Sequence, residues 1–378
     1  MIGGQCYVDF LILLYDQPLN LRQFDAGIIG EEPLHLGLLA CSAPSRSAAA
    51  LELAGRTGVA VTIDAEIAPH TSDWQRDRGR FALDRDVYGI TRRGERGLRH
   101  QLGVLEQHGL KGVVFVEALS ADVLGVDLLA EIVEVVQQRG HEVALHIHTE
   151  WLAFYKRPLL GDRLGRHIRD FSEDDQRRLF DRALENFARA GVRRTVAFRA
   201  GNAGANLATL RAARQSGLKI DSSYFAPQLN RNCGLPPDLE LSQPVPLEGV
   251  LEVPISWFRD GLGRVRPAQL CACSSAELEN LLLQAWRRGW SIVTILLHSF
   301  ELVRRRLPER AQTVMRLHDH RLTRLCRFVA ANKDKFVSTT LRDLQVNTSA
   351  ADTMPGHLRS SLVRTVQRYA EQAAGRVW

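Results

Sequence analysis

Apolar runs of two kinds alternate along this chain. The run VAVTIDAE, Val59 to Glu66, places small and β-branched residues ahead of two carboxylates, Asp64 and Glu66. A short run of this kind reads as a buried strand, and side chains two positions apart leave a strand on the same face. The two acids are therefore expected to emerge together at one strand end. Burying them without partners would be costly, so cations, hydrogen-bond donors or a metal must meet them.

Further strands are expected at 113–119 (VVFVEAL), 142–147 (EVALHI), 195–200 (TVAFRA), 218–223 (LKIDSS), 250–256 (VLEVPIS) and 291–298 (SIVTILLH). Between them the spacing turns helical, over 93–108, 122–139, 172–190, 205–216, 276–288 and 308–331. Ser172 and Asp175 have the spacing of a capping box at the start of the third of these helices. Residues 67–91, with Trp74, Tyr88 and Gly89, read as a long polar loop of the length that serves as a lid. Apolar strands alternating with amphipathic helices predict a parallel sheet covered on both faces, and about seven strands predict a barrel. Residues 1–56 show no clean period and read as a poorly specified extension. The core domain is expected over 57–345, and 346–378 as a polar tail with one short helix.

Composition narrows the class without identifying it. The chain of 378 residues is 45% hydrophobic and 24% charged, the proportions of an ordinary globular protein. Its net charge of +6 raises the question of a polyanionic partner. The arginines, however, are scattered through the helices, so they read as solvated helix faces and no nucleic-acid partner is expected. Six cysteines (Cys6, Cys41, Cys233, Cys271, Cys273, Cys326) fall at no zinc-finger spacing and read as reduced thiols. The apolar run at 10–15 is too short to span a bilayer and lacks a basic segment before it. A cytoplasmic location is the expectation.

Ionisable residues collect at the strand ends. Strand one ends in Asp64 and Glu66, and the 142–147 strand runs into His146, His148 and Glu150. Arg199 closes 195–200, Asp221 lies in 218–223, and His298 closes the last strand. In parallel barrels these C-terminal ends form the mouth of the active site. Singly, each residue has an ordinary explanation as a cap, a surface acid, a structural ion pair or a rim histidine. Their recurrence at equivalent positions is what points to chemistry, and the His146-x-His148 pair suits a shared cation.

In the order and setting of its motifs, the stretch from 57 to 345 resembles the NodB-homology polysaccharide deacetylases, carbohydrate esterase family four. VTIDAE is similar to the family's first motif, GHEVALHIHTEW to the second, AFRAGN to the third, KIDSSYFAP to the fourth and VTILLHSFEL to the fifth. The resemblance implies a distorted (β/α)7 TIM-like barrel and a divalent metal, with zinc preferred. It implies Asp64 as general base, Glu66 and His146 as metal ligands, and His298 as general acid. Arg199 would hold Asp64, and Asp221 would orient His298. The family's second metal histidine lies four residues after the first, where this chain has Glu150. The third ligand is thus His148 or Glu150, with His148 preferred because zinc favours nitrogen. The proline usual after the motif-three arginine is replaced by Ala200-Gly201.

The implied activity is N-deacetylation of a sugar in a polysaccharide or its precursor. Two alternatives stand beside it: another C–N hydrolase, removing formyl groups or opening cyclic amides, and a catalytically degenerate barrel that binds glycan without turning it over.

Overall fold

The computed structural model describes residues 55–68, 75, 79–304, 312–344 and 356–377. Every described residue lies in the compact unit Leu53–Trp378. The extension expected at 1–56 falls almost entirely outside the described residues, as does Trp74.

Seven parallel strands form the frame: β1 (Thr57–Ala65), β2 (Gly112–Glu117), β3 (Glu142–Ile147), β4 (Ala197–Ala200), β5 (Ile220–Asp221), β6 (Val250–Glu252) and β7 (Ile292–His298). They pair in the spatial order β7-β1-β2-β3-β4-β5-β6. The gap between the outermost two is bridged by irregular backbone. Ser256 N donates to Thr294 O at 3.1 Å, and Leu270 N to Leu296 O at 3.1 Å. The result is a distorted seven-stranded barrel. The strand expected at 250–256 keeps ladder geometry only over its first three residues.

Helices α1 (Leu98–Gln107), α2 (Val126–Gln138), α3 (Glu173–Arg189), α4 (Leu207–Gln215), α5 (Ser275–Arg287) and α6 (Arg316–Ala331) cover the outside. Ser172 Oγ accepts from Asp175 N to cap α3, and Ser274 with Glu277 caps α5 reciprocally. The helix expected from 308 begins at Arg316, and 305–311 lie outside the described residues.

Alternate strand residues enter two different apolar layers. Val59, Val61 and Ile63 of β1, Val114 and Val116 of β2, and Val143, Leu145 and Ile147 of β3 pack outward beneath the helices. Ala60, Val113, Phe115, Ala144, Ala197, Ile220 and Ile292 pack into the barrel. β1, β2 and β3 are buried on both faces, and each fully buried Val or Ile contributes about 1.5–3 kcal/mol. Period-two alternation then places the residues following the inward set, Thr62, Asp64, His146 and Arg199, in the barrel's interior.

One expectation is corrected. The described part of the polar loop, 79–91, is no lid: it coils into helical turns over Arg80–Ala82 and Leu83–Val87 and buries Tyr88 completely. The polar tail packs against the barrel over 356–377. Its strand Leu358–Arg359 pairs with Trp257–Arg259, and its helix α7 (Leu362–Val377) drives Arg368 into the interior. There the fully buried guanidinium meets Asp260 at 2.9 Å and Glu277 at 3.0 Å.

Candidate metal and catalytic site

Strand register assembles the site. Asp64 on β1 lies beside His298 on β7, and His146 on β3 lies beside Arg199 on β4. All four stand at the C-terminal ends of their strands, at the top of the inward-facing columns, and the barrel brings together residues up to 234 positions apart (Asp64 and His298).

Glu66, His146 and His148 converge into one buried cluster whose ligand atoms lie within 4.8 Å of one another. Glu66 Oε2 is 2.5 Å from His148 Nε2 and 3.2 Å from His146 Nε2. Each imidazole is held from behind. His146 Nδ1 bonds to the Arg199 carbonyl at 2.8 Å, and His148 Nδ1 to Glu150 Oε2 at 3.2 Å. These contacts engage both Nδ1 atoms and aim both Nε2 atoms at Glu66, as a ligand's outer partners do. The donor set of two imidazole nitrogens and one carboxylate oxygen fits a divalent ion.

Glu150, the alternative third ligand, stands on the Nδ1 side of His148, outside the Glu66–His146–His148 group. Its other oxygen accepts from Asn202 Nδ2 at 2.7 Å. Although burial raises its pKa, the His148 charge and hydrogen bond outweigh that and bring Glu150 down to about 2. Burial likewise opposes charge on Glu66 and His148. Their mutual attraction, helped by His146 on one side and Glu150 on the other, holds Glu66 well below and His148 well above the usual range.

Gly201 explains the sequence's departure after Arg199. A Cβ there would lie 2.7 Å from Ile147 O and 2.8 Å from the His148 ring, closer than packed atoms approach. Only glycine lets the chain pass the ring of a histidine placed two residues beyond His146. The next two residues, Asn202 and Ala203, both adopt φ 55°, a left-handed conformation costing an alanine about 1 kcal/mol or more.

Arg199 is fixed on every side. Nη1 donates to Asp64 Oδ1 at 2.6 Å and to Thr62 Oγ1 at 3.1 Å. Nε and Nη2 donate to the carbonyl and hydroxyl of Ser222, each at 3.1 Å. Its guanidinium lies 4.0 Å from the Phe115 ring centroid. His298 Nε2 stands 3.9 Å from Asp64 Oδ2, and its Nδ1 bonds to Glu301 Oε1 at 2.8 Å. Burial works against charge on His298, but the Glu301 bond and charge, with Asp64 and Glu66 behind them, raise its pKa to about 9.

Asp221 does not reach His298. It sits in register with Phe198 and Glu252, one residue out of phase with the inward Ile220. Its Oδ1 accepts from Ser223 Oγ at 2.6 Å. Burial raises both Asp221 and its neighbour Glu252, and Asp221's charge pushes Glu252 well above the carboxylate range. Glu301 was not singled out in the sequence, although a carboxylate three residues past a strand-end histidine was its signal. Glu252 and Ser222 carried none.

No protein-family model matches the chain, and no curated protein matches it. Solved structures do. A Mycobacterium smegmatis protein provisionally named a polysaccharide deacetylase is 21% identical, covering 80% of this chain and 94% of its own, with a TM-score of 0.48. A family 4 carbohydrate esterase from Streptomyces lividans, solved with acetate, is 14% identical over 76% of this chain and 94% of its own, with a TM-score of 0.34. A CE4 family pseudoenzyme from Bacillus anthracis is 10% identical over 82% of this chain and 64% of its own, with a TM-score of 0.33. The last two of these are carbohydrate esterase family 4 proteins. At such identities and scores the site's chemistry has to be read from its own residues.

Proposed function

We propose that this chain is a metal-dependent hydrolase of the NodB-homology polysaccharide deacetylase family, removing N-acetyl groups from sugars of a polysaccharide or its precursor. One observation carries the reading: the buried Glu66–His146–His148 cluster lies two residues along β1 from Asp64, a carboxylate that Arg199 holds at 2.6 Å. A metal site with an adjacent, separately anchored base is what amide hydrolysis needs.

An amide is a poor electrophile. Glu66, His146 and His148 would hold a divalent ion, zinc by the donor set, which when bound would supply Lewis acidity to the carbonyl and lower the pKa of a water toward neutrality. Asp64 accepts a proton from the attacking water. Arg199 keeps that carboxylate oriented, its charge offsetting the loss of solvent around a group only 4% exposed. His298, across the site, donates a proton from Nε2 to the departing amine. The C–N bond breaks, the water oxygen joins the acyl carbon, and acetate and a free amine leave.

The test is acetate release from N-acetylated oligosaccharides before and after chelation, with zinc added back. Loss on chelation and recovery with zinc is the expected result. Acetate release that survives complete removal of bound metal would overturn the reading. N-formyl sugars and cyclic amides in the same panel separate the sister activities.

A further inference from the structure

We propose that Glu301 is the positioning residue for His298, the part that the family resemblance implies for Asp221. The proposal rests on the deacetylase reading for its kinetic consequence, but its geometry stands alone.

His298 ends β7, and the chain turns at once: Glu301 N donates to His298 O at 3.1 Å. That turn carries the carboxylate back beside the ring, where Oε1 bonds Nδ1 at 2.8 Å. Gln269 Nε2 donates to the same oxygen at 2.6 Å, and His318 Nδ1 bonds the Glu301 carbonyl at 2.7 Å. Burial, and after it the Glu301 charge, pushes the Cys271 thiol well up, and the Glu301 side chain is 5% exposed. Phe300 stacks on the imidazole at 5.1 Å and 27°. Gln101 from α1 holds the His298 and Ser299 carbonyls, each at 3.0 Å. Ring, backbone and carboxylate are thus each fixed by different neighbours.

The consequence is chemical. A carboxylate on Nδ1 selects the tautomer and orientation of the ring and stabilises its charged form, leaving Nε2–H to face the reaction. The ionisable groups facing His298 are Glu301, with Cys271 behind it, and from β1 Asp64 at 3.9 Å and Glu66. Both β1 acids take part in the site, so Glu301 alone is dedicated to the ring. Asp221, bonded to Ser223 and beside Glu252, is occupied elsewhere.

The experiment uses the zinc-loaded full chain labelled with ¹⁵N-histidine, comparing wild type with E301Q, E301D and D221N. Nitrogen shifts report the tautomer and titration of His298, assigned by its loss in H298Q. E301Q should fall back by at least one pH unit, E301D should recover part of that shift, and D221N should titrate as wild type. On an N-acetylated oligosaccharide, E301Q should lose about 10²–10⁴-fold in kcat with KM within about twofold, the alkaline limb of kcat moving down in pH. An E301Q titration indistinguishable from wild type, or a D221N shift as large as that of E301Q, overturns the proposal. Should E301Q not fold, E301D decides by the same shift. If wild type releases acetate from no saccharide, the deacetylase reading fails while the nitrogen shifts still decide the role of Glu301.

Discussion

Arg199 Nη1 lies 2.6 Å from Asp64 Oδ1, and both side chains are almost completely buried. The pair joins stability to catalysis. Asp64→Asn keeps the shape but cannot take a proton, so acetate release should fall by about 10²–10⁴-fold. The same change strips Arg199 of its countercharge inside the barrel, and removing one partner of a buried pair costs about 3–5 kcal/mol. Urea unfolding and a deacetylation assay on the same preparation check both halves. Undiminished turnover in Asp64→Asn would remove Asp64 from the mechanism.

Glu66 and Glu150 should respond differently to the same substitution. Glu66→Gln takes a ligand from the cluster, and stoichiometric zinc should be lost on dialysis. Glu150→Gln weakens only the support of His148 Nδ1, so zinc should remain bound with about 10–100-fold lower affinity. Competition with a zinc indicator measures both; equal losses in the two variants would return Glu150 to the ligand set.

Gly201→Ala is expected to act on the metal through packing alone. Its new Cβ meets the Ile147 carbonyl and the His148 ring below 3 Å, so the ring must move. Zinc affinity should fall about 10–100-fold, although no ligand is altered, and the same indicator competition reads it. An unchanged affinity would mean that the loop yields instead of the histidine.

His298 gives a signed pH dependence. Its pKa is raised from 6.5 to about 9 in the folded protein, so the stability it contributes is fully present below pH 6.5. That stability is lost as pH rises from 6.5 through 9, and its size is roughly 3 kcal/mol. The difference in urea unfolding between wild type and H298Q, in zinc-free protein at pH 6, 8 and 10, should therefore shrink as pH rises. A difference that grows with pH contradicts the assignment.

Arg368 tests whether α7 is structural. Its guanidinium is fully buried between Asp260 and Glu277, and Glu277 also caps α5. Arg368→Ala leaves two carboxylates without their cation and should cost about 3–5 kcal/mol, read as a lowered Tm. A Tm within a degree or two of wild type would make the last helix dispensable.

Much of this was legible in the sequence because strands report locally. β-branched runs and their period of two located β1, β3 and β7 and placed Asp64 and Glu66, then His146 and His148, on shared faces. Capping at Ser172 needed only two residues three apart. Asp221 was misread because β5 is two residues long, and so short a strand does not show its phase: one residue's shift turns a side chain from barrel to helix layer. Glu301 lay beyond the strand, where a turn, and no periodicity, decides direction. The tail read as polar because the buried face of α7 is made partly of Arg368, whose burial depends on carboxylates about a hundred positions earlier.

By itself the sequence determined the elements, their parallel order and the candidate chemistry at each strand end, since these follow from side-chain volume, branching and period along a few neighbouring residues. The tertiary structure alone decided which group faces which: that Glu150 supports His148, that Glu301 holds His298, and that Arg368 closes the fold. The first two pairs are near neighbours whose contacts, at 3.2 and 2.8 Å, depend on how the chain turns past each strand end, and Arg368 meets Asp260 at 2.9 Å across 108 positions; no local pattern encodes either.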